Sequence, residues 1–139
     1  MKNAKFAEQN AILATIDPQS VGTNAVTSDY VYPSKFSRLA VVVQIGNTVD
    51  GGTITVFKSD NTSGSTTTAI QTQAIATNGD NLQYIFDVDV DSLCSAKPYV
   101  AVKVVGADTN TNLISATIFG YQAKYEDVSG QDLASANIV

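Results

Sequence analysis

Ser37-Arg38-Leu39-Ala40-Val41-Val42-Val43-Gln44-Ile45-Gly46 is the stretch on which the fold turns. Leu39, Val41, Val43 and Ile45 recur every second residue, the spacing that puts side chains on one face of an extended strand. The same pattern returns at Ile54 and Val56, at Phe86, Val88 and Val90, at Val100, Val102 and Val104, and at Ile114, Ala116 and Ile118. Helical periodicity is nearly absent between Val21 and Tyr125. The runs are separated by turn-forming clusters: Asp50-Gly51-Gly52, Ser59 to Gly64, Asn78-Gly79-Asp80, and Gly106 to Asn112. Asn78-Gly79 lies between two β-prone runs, Thr66 to Ala76 and Leu82 to Val90, and predicts a hairpin because both residues tolerate positive φ. Asp91 to Ala96 predicts one helical turn in a crossover, and Pro98 suits the first residue of the strand that follows. Short strands with one apolar face and frequent turns predict an all-β fold, an antiparallel two-sheet sandwich, jelly-roll-like, of about seven to eight strands.

A length of 139 residues suits one domain. At this size folding buries about 68–70% of the extended chain's surface, so a core needs no metal or disulfide. The sandwich is expected over residues 21–125, with an extended N-terminal arm over 1–20 and a C-terminal arm over 126–139. The first arm carries Phe6, Ile12 and Leu13 without a clear strand period, and Asp17-Pro18 breaks any helix there. The second carries Leu133, Ile138 and Val139, apolar residues that a lone sandwich has little reason to expose. Two apolar-tipped arms on one small domain point to docking on a neighbour and to a homo-oligomer.

Composition removes whole classes of function. Eight Lys and Arg stand against thirteen Asp and Glu, a net charge of −5, so the chain repels phosphate backbones and nucleic acid is not an expected partner. Arg38 is the sole arginine. The longest apolar run, Leu39 to Val43, is far short of the roughly 18 residues that span a bilayer, and no export signal is recognisable, so no membrane partner is expected and synthesis is expected in the cytoplasm. With no His and one Cys, histidine triads and His-containing zinc sites lack their parts. Asp87, Asp89 and Asp91 share one strand face, but the glycine and glutamate of a calcium loop are replaced by Ser92 and Pro98. Asp108 to Asn112 fails in the same way at Leu113 and Phe119, and reads as a hairpin turn. Cys94, with no His to deprotonate it, reads as a small packed residue. The tyrosines Tyr30, Tyr32, Tyr84, Tyr99, Tyr121 and Tyr125 read mainly as sheet-edge residues, with a sugar site as the alternative. No catalytic residue, no metal site and no cofactor is expected, and the chain reads as a non-enzyme.

Three segments together carry a resemblance: Ala11 to Val21; Ser37 to Gly46 followed by Gly51 to Asp60; and Asp89-Val90-Asp91-Ser92-Leu93 leading to Lys97-Pro98-Tyr99-Val100-Ala101-Val102-Lys103-Val104. In strand order, in the Gly-Gly turn and in the Tyr-Val strand, residues 10 to 125 resemble the head-decoration (cement) proteins of tailed phages. The resemblance implies a virion protein on the capsid surface that oligomerises, contacts the major capsid protein and reinforces the shell. On this reading Phe6, Ile12, Leu13, Leu133, Ile138 and Val139 are the apolar anchors of the arms. The alternative is a carbohydrate- or receptor-binding sandwich of a phage tail or cell surface.

Overall fold

A computed structural model describes residues 10–107 and 112–123. Eight strands follow one another: β1 (Ala11–Val21), β2 (Val26–Thr27), β3 (Phe36–Asn47), β4 (Gly52–Ser59), β5 (Thr67–Ile75), β6 (Leu82–Asp89), β7 (Tyr99–Gly106) and β8 (Asn112–Ala123). They form two antiparallel four-stranded sheets, ordered β1-β8-β3-β6 and β2-β7-β4-β5. Among the described strands only β4 and β5 are joined as a hairpin; every other connection between them carries the chain from one sheet to the other. This is the winding of an eight-stranded jelly roll.

The period-two residues meet between the sheets. Leu39, Val41, Val43 and Ile45 of β3 lie beside Ile114, Ala116 and Ile118 of β8 and Phe86 and Val88 of β6. Opposite them stand Ile54 and Val56 of β4 and Val100, Val102 and Val104 of β7, all buried. Each fully buried branched side chain contributes about 1.5–3 kcal/mol relative to exposure, so this layer is the main source of stability.

Four expectations need correction. Asn78-Gly79 does not make a hairpin, because β5 pairs with β4 in one sheet and β6 with β3 in the other. The left-handed residues are Asn78 (φ 52°) and Asn81 (φ 56°), not Gly79. Their amides donate to Val49 and Gly46 carbonyls, which ties the crossing to the end of β3 and the loop after it. The Gly106 to Asn112 segment likewise crosses between sheets, from β7 to β8, and residues 108–111 lie outside the described residues. The helical turn spans Val90–Ser92, slightly earlier than expected, because the Asp89 carboxylate accepts the Asp91 amide at 3.0 Å and caps it.

The N-terminal segment also departs from expectation. Residues 11–20 are not an arm: they form most of β1, paired along β8 from Ala11 opposite Gly120 to Val21 opposite Asn112. The strand period was hidden by two irregularities, at Leu13 and at Asp17-Pro18. An extra residue reverses the facing of all that follow, so Ala11, Leu13, Ala14 and Ile16 can all turn toward the core.

The one hairpin is closed by its own side chains. The Asn61 carboxamide oxygen accepts the Ser63 amide at 2.9 Å, and Asp60 accepts the Thr66 amide at 3.2 Å and the Ser59 hydroxyl at 3.3 Å. Desolvation pushes the Asp60 carboxyl up, but the hydrogen bonds from Thr66 and Ser59 outweigh it and hold the group below its ordinary value. A depressed folded value means that this contribution is present above the unfolded pKa of about 3.9 and is lost as pH falls through the folded value. Urea midpoints of wild type and Asp60→Asn, measured from neutral pH downward, should therefore converge below about pH 4. A constant gap would mean that the ionised carboxylate contributes nothing.

A second test concerns packing. A Cβ on Gly120 of β8 would collide with the buried Phe36 ring, whereas one on Gly46 meets only Leu113, its Cβ at 3.5 Å and its carbonyl oxygen at 3.8 Å, both ordinary contacts. Gly120→Ala should lower unfolding free energy by about 1–3 kcal/mol, and Gly46→Ala should change it by less than about 0.5 kcal/mol, both read from denaturant titrations.

Candidate functional site

The feature that stands out is the outer face of the β1-β8-β3-β6 sheet. On a sheet with one wet side, outward residues are normally polar. Here the register aligns Ile12 of β1, Phe119 of β8, Ala40 of β3 and Asp87 of β6 in one row, and Thr15, Thr117, Val42 and Ile85 in the next. Ile12, Phe119, Ala40 and Val42 are only partly covered, and Ile85 of β6 is 68% exposed. The patch is bordered by polar groups at both ends. At one, the Ser115 hydroxyl donates to the Gln44 side chain at 3.3 Å, next to Gln83. At the other lies a cluster around Arg38.

Arg38, on β3, reaches Asp87 of β6 through Nη2 at 3.0 Å and Nε at 3.1 Å, and Nε also donates to the Tyr121 hydroxyl of β8 at 3.1 Å. That hydroxyl donates onward to the same Asp87 oxygen at 2.8 Å. Hydrogen bonds to Tyr121 and Asp87 hold the guanidinium pKa above its ordinary value. An exposed pair of this kind contributes little to stability. Its consequence is placement: the sole arginine is committed to a partner across the sheet. Asp87 and Asp89 are exposed opposite the inward Phe86 and Val88, as the alternation predicts, but each carries a specific contact that the sequence did not show.

At one end of the sandwich, the loop before β3 and the crossover before β7 enclose a shallow cleft of about 290 Å³ lined by Tyr32, Pro33, Asp91, Cys94, Ser95 and Pro98, among others. Tyr32 is 60% exposed, and its ring centroid lies 5.6 Å from that of Tyr99. Cys94 is exposed, not packed as its neighbours Leu93 and Ala96 suggested, and Ala96 is exposed with it. Other tyrosines serve the scaffold: Tyr30 packs edge-on against Phe57 at 5.7 Å, and the Tyr84 hydroxyl accepts the Ala76 amide at 3.3 Å. Among the described residues no group of three or more Asp, Glu, Cys or His is placed to hold a metal ion.

Of the six expected anchor residues, Phe6, Leu133, Ile138 and Val139 lie outside the described residues. Leu13 packs against the core, so the structure does not support it as an anchor. Ile12 falls in the outer apolar face, within a strand and not on an arm. Sequence reasoning missed Ala40, Val42, Ile85 and Phe119. The signal was the unbroken run Leu39 to Val43: a strand that is apolar at odd and even positions alike has two apolar faces.

No family model matches the chain, and no curated protein matches it. Among solved structures it is similar to a protein described as "Bacillus endospore appendages form a novel family of disulfide-linked pili", with 16% sequence identity over 88% of this chain and 100% of that one, at a TM-score of 0.50. At that identity the likeness concerns the fold, and it agrees with the two-sheet β-sandwich described above.

Proposed function

We propose that this chain is a structural subunit, a decoration or cement protein of a phage head, that docks on a shell of major capsid protein through the outer face of the β1-β8-β3-β6 sheet. The observation that carries the reading is the apolar set Ile12, Ala40, Val42 and the 68% exposed Ile85 on that face, bordered by the polar groups of Asp87, Arg38, Gln44 and Ser115. An apolar centre with a polar rim is the anatomy of a protein interface. Net charge of −5 supports a protein partner over a nucleic acid. The terminal segments carrying Phe6, Leu133, Ile138 and Val139 add contacts to neighbouring subunits. Many such weak contacts on a repeating lattice sum by multivalency.

Co-sedimentation with undecorated phage heads tests the face. Ile85→Lys should abolish or sharply weaken decoration while leaving thermal stability within about 0.5 kcal/mol of wild type, since the residue is exposed. Deleting residues after Glu126 should weaken decoration without unfolding the sandwich. Normal decoration by the Ile85→Lys protein would remove the face from the reading.

One observation favours a second reading. Tyr32, exposed beside Tyr99 over a cleft holding Asp91 and Ser95, offers an aromatic platform with polar groups at its margin, an arrangement suited to a sugar ring. Saturable binding on a glycan array that is lost in Tyr32→Ala would promote this reading above shell decoration.

A further inference from the structure

A two-sheet sandwich that does not close into a barrel has four edge strands, and each presents unpaired backbone groups that invite another strand. Three of the four are protected here. β1 is interrupted at Leu13 and again at Asp17-Pro18. β2 is two residues long, extended only by an isolated bridge at Val31. β6 carries Asp87 and Asp89, a repulsive pair for any like strand.

β5 is different. Thr67-Thr68-Ala69-Ile70-Gln71-Thr72-Gln73-Ala74-Ile75 spans nine residues with no charge and no proline. Every residue from Thr67 to Ala74 is exposed, so the strand stands clear of the sandwich on both faces and not merely along its edge. Among the described residues β4 is its only paired strand. Two devices guard its first half: a bulge, where Val56 faces Gln71 and Phe57 faces Ala69 so that Ile70 is the extra residue, and the Lys97 ammonium, which donates to the Thr68 hydroxyl at 2.6 Å. The bulge increases local twist, but Gln71 to Ile75 continues as an unbroken five-residue pairing with β4.

We infer that β5 is a self-association seam, which pairs antiparallel with β5 of a second copy and joins the two β2-β7-β4-β5 sheets into one eight-stranded sheet. The choice of a second copy rests on charge. The chain as a whole is acidic, so most surfaces of two copies repel, yet every antiparallel register of β5 on β5 sets neutral residues opposite neutral ones. Threonine and isoleucine suit strand pairing, and glutamine side chains hydrogen-bond across a seam of identical strands. Backbone pairing supplies the affinity, as in strand-addition complexes generally. The seam uses neither the outer apolar face nor the terminal segments, so it stands or falls separately from shell docking.

Sedimentation equilibrium of the full chain should give a species of twice the 14.6 kDa chain mass at high micromolar concentration. Thr72→Lys places like charges across the seam and should raise the dimer dissociation constant roughly tenfold or more. Thr72→Glu should do the same, and an equimolar mixture of the two variants should dimerise again. Amide hydrogen exchange on the wild-type protein supplies a check that needs no variant: residues 67–75 should exchange more slowly as concentration rises. The inference is overturned by a wild-type protein that stays monomeric, or by Lys and Glu variants that dimerise like the wild type. It is equally overturned by slow exchange in β5 at every concentration, the mark of a strand already covered by its own chain, or by a dimer that leaves β5 exchange unchanged.

Discussion

The constraint from which the rest follows is that two sheets must share one slab of branched aliphatic side chains. Leu39, Val41, Val43 and Ile45 on one side and Ile54, Val56, Val100, Val102 and Val104 on the other are almost wholly withdrawn from water. A strand exposes alternate residues to opposite faces, so committing these positions to the slab decides where every neighbour points. Arg38, Ala40 and Val42 are forced outward by the inward residues between them. The jelly-roll winding serves the same end, because a chain that changes sheet at nearly every connection ties both layers together along its length.

The winding also decides what is left over. A closed barrel has no free strand edges, whereas a sandwich retains four, and their treatment in this chain is unequal. Bulges, brevity and aspartates guard three edges, whereas on β5 the displacement at Ile70 and the Lys97 contact at Thr68 leave Gln71 to Ile75 without a device of their own. The faces are unequal as well. The β2-β7-β4-β5 sheet covers part of its outer side with its own loop, where Tyr30 packs on Phe57, and Lys103 Nζ lies 5.8 Å from that ring's centroid. The other sheet leaves Ile85 in the open. The two surfaces proposed above as contact sites, a face and an edge, belong to different sheets, so occupation of one leaves the other open.

Much of this was legible in the residues, and the failures have physical causes. Inward positions on β3, β4, β6, β7 and β8 were readable because each of those strands keeps its period through the core-facing stretch. β1 was not, since irregularities at Leu13 and Asp17-Pro18 break the alternation, and only pairing with β8 reveals a strand. Asn78-Gly79 misled because turn chemistry is local while the choice of sheet is not: the residues bend the chain, but hydrogen bonds to Val49 and Gly46 decide where it goes. The Arg38, Asp87 and Tyr121 cluster joins residues up to 83 positions apart, which no spacing rule connects. Cys94 was misplaced because a small apolar neighbour does not guarantee burial, and Ala96 is itself exposed.

That cluster has a role beyond its modest energy. In most half-buried strands a one-residue slip is prohibited because it would put the apolar set in water. β3 lacks this safeguard over its centre, where Ala40 and Val42 would replace Leu39, Val41 and Val43 at the core with another apolar set. What distinguishes the two registers is the ends of the strand: a slip would turn Arg38 and Gln44 inward, away from Asp87, Tyr121 and Ser115, and bury a charge without its partners. An apolar outer face therefore has a cost in specificity, and polar contacts at both its borders supply what the hydrophobic pattern alone does not. The groups that would rim an interface are the same ones that keep its apolar centre facing out.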